Sequence, residues 1–197
     1  MKTTTRMVRV LLIAVIAVAM LPRPAFADGF GIGAKGGFVY SNLKFTDAND
    51  VFNSKAGWMA GIFFANKAPV GVLVELNYLL KHFTDAATGA NTDLRYLDIP
   101  LMLKVNIGSS SANGVSFYVF GGPGFDFKVG ESISSIAQVQ TYENFDFSLI
   151  AGAGVEITRL IIEGRGMWGM RNIAVNQFAA GELKSRSFAL LFGLRFN

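Results

Sequence analysis

Fourteen consecutive residues, Leu94 to Ile107 (LRYLDIPLMLKVNI), alternate between two kinds of side chain without a break. Arg95, Leu97, Ile99, Leu101, Leu103, Val105 and Ile107 share one parity, and Tyr96, Asp98, Pro100, Met102, Lys104 and Asn106 share the other. Successive side chains of a strand point to opposite faces, so this alternation predicts β structure. Ordinary globular strands run to roughly 5–6 residues, whereas about 9–11 residues tilted near 45° cross the hydrocarbon of a bilayer. The pattern recurs seven more times along the chain.

The recurrences are Phe30 to Leu43, Ala56 to Asn66, Gly71 to Phe83, Val115 to Phe127, Glu143 to Glu156, Leu160 to Arg171, and a last segment carrying Phe188, Leu190, Phe192, Leu194 and Phe196. Gly121-Gly122-Pro123-Gly124 predicts a bulge in the fifth, and Pro100 a lost ladder bond or bulge in the fourth. Ile157-Thr158-Arg159 is weak turn chemistry. Polar stretches of about ten residues or more (Lys44 to Lys55, Thr84 to Asp93, Lys128 to Tyr142, Asn172 to Glu182) alternate with short connections. All the long ones therefore fall at one end, the asymmetry of outer-membrane barrels. Lys128 to Tyr142 reads as the longest.

The N-terminus stands apart from these strands. Lys2, Arg6 and Arg9 precede the apolar run Val10 to Leu21, and Ala25-Phe26-Ala27 follows, which predicts a secretory signal over residues 1–27 cut between Ala27 and Asp28. Twelve apolar residues fall short of the roughly 20 of a spanning helix. The remainder, 28–197, is expected to form one barrel domain. Four of the 18 basic residues and none of the 14 acidic ones precede residue 28, so the net charge of +4 resides in the signal. The balanced remainder gives no reason to expect nucleic acid as a partner. Without cysteine there is neither a disulfide frame nor a thiolate metal site. No apolar run of 18 follows residue 27, leaving a closed barrel as the way across a bilayer. The expected fold is all-β: an eight-stranded antiparallel up-and-down transmembrane β-barrel.

Which parity faces lipid follows from the exceptions. Charged or titratable residues on the apolar parity are His82, Arg95, Glu143 and Arg186, each at the end bearing the long loops. A charge near the bilayer midplane costs roughly 2–4 kcal/mol and near the interface about 0–1. Tyr40, Trp58, Tyr78 and Trp168 share that parity and fit an aromatic girdle. The other parity holds Lys35, Lys81, Lys104, Arg165, Arg171 and Arg195 with Glu75, Asp98, Asp126, Asp146, Glu156 and Glu163. An eight-stranded lumen is just filled by side chains, so these charges are expected to pair as a plug. A soluble lipocalin-like barrel with an apolar interior is the alternative.

YLDIPLMLK (Tyr96 to Lys104), YVFGGPG (Tyr118 to Gly124), GAGVE (Gly152 to Glu156) and the closing FGLRFN resemble the family of small porin-like outer-membrane β-barrel proteins. The resemblance spans the whole chain after the signal and implies a fold and a bacterial outer-membrane location. One departure is that the closing aromatic, Phe196, stands one place before the last residue, Asn197.

Chemistry is sparse. His82 and Thr84 share a face, which admits a base and nucleophile acting on lipid, but no acid on that strand is placed to orient the ring. Gly31-x-Gly33-x-x-Gly36 opens no helix and is not a dinucleotide fingerprint. No catalytic residue, cofactor or metal is expected. The reading is a non-enzymatic barrel with a structural, adhesion or envelope-maintenance role. Lys44, His82, Arg95 and Arg186 are expected to form an interrupted basic collar for outer-leaflet lipopolysaccharide, with the long loops free for an extracellular protein partner.

Overall fold

The computed structural model describes residues 30–45, 52–66, 68–85, 91–107, 114–133, 144–170 and 183–196. The expected cleavage site at Ala27 and Asp28 lies outside them. Eight strands follow in order: β1 Phe30–Phe45, β2 Phe52–Asn66, β3 Val70–Asp85, β4 Asn91–Ile107, β5 Val115–Ile133, β6 Phe145–Ile157, β7 Leu160–Gly169 and β8 Leu183–Arg195. Each pairs antiparallel with its sequence neighbour, and β8 returns to pair with β1, Gly33 standing opposite Arg195. The sheet closes and has no edge, as the alternation predicts.

The strands are longer than expected at one end. β1, β2, β3 and β4 extend into stretches read as loop, reducing the connections there to 46–51 and 86–90, the latter shorter than 108–114 at the opposite end. β5 likewise runs to Ile133, six residues into the stretch Lys128 to Tyr142, the rest of which lies outside the described residues. These strand ends are polar in composition, and composition alone cannot separate a paired strand end from a loop. Among the described residues the asymmetry of the barrel thus rests on the long strands β1 to β5.

Of two expected irregularities one is absent and one is present. β5 pairs with β6 without a shift from Val115↔Ile157 to Phe127↔Phe145, straight through the glycine–proline run. Pro100 keeps its register opposite Gly124, but the β3/β4 ladder skips Ile99 and Pro100 and the β4/β5 ladder skips Leu101 and Met102, the lost pairing expected of a proline. Glycine here serves proximity: a Cβ on Gly122 would lie 2.2 Å from the Leu101 carbonyl oxygen. The bulge falls further out, where Arg95 and Tyr96 oppose Gly130 and Lys128 and leave Val129 extra. The weak turn chemistry is real. Thr158-Arg159 forms a two-residue turn with Thr158 at φ 59°, a strained setting for a β-branched residue. The Thr158 N–H donates to the carbonyl of Gly114, itself at φ 66° in the neighbouring turn.

The alternation sorts side chains as expected. Phe38, Tyr40, Trp58, Ile62, Tyr78, Leu103, Phe117, Leu149, Trp168, Phe188 and Phe192 are exposed on the outer surface, while Val39, Met59, Phe63, Leu79, Met102, Ile150 and Leu191 fill the lumen among buried charges. On β8 the outward positions from Arg186 to Phe196 cover ten steps, about 33 Å at 3.3 Å each. Tilted by about 40°, that run rises about 25 Å, the height of a transmembrane apolar band.

Candidate functional site

Two regions hold the polar chemistry, the lumen and the outer rim. At mid-height of the lumen Lys35 on β1, Glu75 on β3, and Glu163 and Arg165 on β7 meet. Arg165 donates from Nη1 and Nη2 to the two oxygens of Glu75, each at 2.9 Å, and from Nε to Glu163 at 2.9 Å. Lys35 Nζ lies 2.9 Å from Glu163 Oε2 and also pairs with Glu75. Two acids and two bases cancel, and bidentate pairing answers most of the desolvation that burial imposes. Tyr118 adds a donor to Glu163 at 2.9 Å, and Arg165 stacks over Phe120.

Above the cluster, toward the overhanging ends, Asn77 donates to Glu75 and to Asp98, and Lys81 reaches Asp126 at 3.3 Å. Below it, Arg195 forks onto Glu156 at 2.6 and 2.8 Å, with Lys104 beside them. Of the twelve inward charges read from the sequence, ten are buried and Glu156 is half-buried. Arg171 lies outside the described residues. Which acid meets which base was not legible, since pairing crosses the lumen between strands distant in sequence. An interior so charged excludes the lipocalin-like alternative, whose lumen would be apolar.

The rim is less continuous than the expected collar. Arg95 and Arg186 are both exposed on the outer surface, but β4 and β8 lie on opposite sides of an eight-stranded ring. Lys44 sits opposite Lys184 in the β1/β8 register, near Arg186, and His82 on β3 is adjacent to Arg95 on β4. The basic positions therefore form two groups. His82 is not a free cation site: its Nδ1 lies 2.5 Å from Asp93 Oδ1, its direct cross-strand partner. Sequence reasoning missed Asp93 by assigning it to a loop, although it shares parity with Arg95. Glu143 lies outside the described residues. Trp58 and Tyr78 of the girdle are in contact, ring centroids 5.4 Å apart.

An apolar exterior, a closed sheet and a paired, charged interior define a transmembrane β-barrel. The chain belongs to the outer membrane protein beta-barrel domain family, whose model matches residues 23–175, and its place is the bacterial outer membrane. Solved structures agree in fold. Ail, the attachment invasion locus protein of Yersinia pestis, crystallised with the heparin analogue sucrose octasulfate, is 19% identical at a TM-score of 0.50, over 84% of this chain and 99% of that one. OprG of Pseudomonas aeruginosa is 13% identical at 0.52, over 86% and 97%. Neisserial surface protein A is 10% identical at 0.51, over 85% and 97%. No curated protein matches in sequence.

Proposed function

We propose that this protein is a non-conducting, non-enzymatic barrel that serves envelope integrity or adhesion from the outer leaflet, delivered there by a signal peptide cleaved after Ala27. The observation that carries this reading is the neutral, fully buried cluster of Lys35, Glu75, Glu163 and Arg165 across the lumen. Interlocked ion pairs at that height leave no wide aqueous path, in contrast to the channels of barrels with about 16–18 strands. Planar-bilayer recording of the purified protein should give no stable conductance. Large, long-lived openings proportional to salt would refute the reading.

The outer end supplies the contacts. We assign contacts with lipopolysaccharide phosphates to the positions of Lys44 and Arg186 on one side and of Arg95 beside His82 on the other, since guanidinium suits such groups. The overhanging strand ends are the surface we assign to an extracellular partner. That Ail, a barrel of similar fold, was crystallised with a heparin analogue supports sulfated polyanions as a first probe. Lipid-modifying catalysis gains one observation, the His82–Asp93 pair. Among the described contacts no hydroxyl joins that pair, and a base with its orienter but no nucleophile does not make a triad.

A further inference from the structure

The end of the lumen bearing the short turns opens into a cavity of about 240 Å³ lined by Lys104, Asn106, Ser116, Glu156, Thr158 and Arg195. Two cations share one carboxylate there. Arg195 uses Nε and Nη2 on Glu156, while its buried Nη1 has no hydrogen-bond partner. Lys104 Nζ stands 4.0 Å from Glu156, beyond hydrogen-bonding range, and 4.2 Å from the centroid of the Tyr118 ring. The ring face favours a cation but accepts no strong hydrogen bond, and an ammonium has three protons to place. Both side chains are buried, with 4% of Lys104 and 3% of Arg195 exposed. Buried charge persists when paired, and among the described residues the two bases lining this cavity meet one acid, Glu156.

We infer that the cavity is a binding site for a small oxyanion, a carboxylate or a phosphate, held by Lys104 and Arg195. Short turns of such barrels face the periplasm, so the anion enters from there. Lys104 and Arg195 are buried inside the barrel, which puts the site within reach of soluble anions and away from lipid headgroups on the outer wall. Ser116 and Thr158 at the wall carry hydroxyls that can serve as neutral donors, while the Asn106 amide is engaged by the Ala68 carbonyl. Glu156 fixes Arg195 by its forked pair and competes with the incoming anion for both cations.

Calorimetric titration of the folded protein in detergent, with inorganic phosphate and separately with acetate at constant ionic strength, tests this and identifies the preferred group. Saturable binding of at least one anion is expected. Lys104→Gln should weaken it at least about tenfold, as loss of a hydrogen bond to a charged group does. Glu156→Gln should tighten it, and Lys128→Gln, a cation removed from the far end of β5, should leave it unchanged. If Glu156→Gln is less stable, phosphate should raise its unfolding midpoint more than that of the unaltered protein. No saturable heat with either anion, or equal affinity in Lys104→Gln, overturns the inference.

Discussion

Glu75 illustrates how one buried carboxylate depends on its neighbours. It accepts two bonds from Arg165, pairs with Lys35 and receives the Asn77 amide, with almost no exposure to solvent. Glu75→Leu removes one charge and leaves two cations facing Glu163 alone, which should cost about 3–5 kcal/mol. Glu75→Leu with Lys35→Met deletes one acid and one base, leaving Arg165 on Glu163, and should cost less than the single change. Urea unfolding in detergent measures both. Strictly additive losses would mean that the cluster is not energetically coupled.

At the scale of the element, the β6–β7 turn is the least comfortable joint in the chain. Thr158 holds φ 59°, where a non-glycine residue costs about 1–3 kcal/mol. Asparagine tolerates that region better, so Thr158→Asn should raise stability by about 1 kcal/mol, read as a higher urea midpoint. A lower midpoint would show that the threonine hydroxyl contributes more than the strain. The strands themselves were legible because lipid and lumen demand opposite chemistry at every step, as in Leu94 to Ile107. Their outer ends were not, because strand ends there carry loop composition: Asn91 to Asp93, and Lys128 to Ile133 apart from the bulged Val129, pair in the ladders all the same. The same blindness hid Asp93 from the reading of His82. Gly121 to Gly124 misled in another way, since glycine marks a bulge and a close backbone approach alike.

On the scale of the whole molecule, the ring separates what the chain lists together. Arg95 and Arg186 sit on strands half the circumference apart, too far to grip one phosphate. Distant sites add. Arg95→Gln and Arg186→Gln should therefore each reduce lipopolysaccharide co-purification by a comparable share, and the double variant by their sum, while the heat-modifiable folded band persists on gels. Unchanged lipid in a folded double variant would show that these positions merely tolerate charge at the interface. The charge pairs inside the lumen were unreadable for the related reason that Lys35 and Glu163, 128 residues apart in sequence, become neighbours only through closure.

Closure itself sets the order of assembly. β1 takes hydrogen bonds from β2 on one side and from β8 on the other, so the first strand out of the secretion pore keeps one ladder unmade until the last has arrived. Contacts at such sequence separation form late and slowly, and an unpaired edge invites pairing with another chain. The nascent barrel therefore needs an escort that shields its first strand. A chain broken off before Leu183 would lack the thirteen-residue strand that pairs with β1 and could not complete the seam.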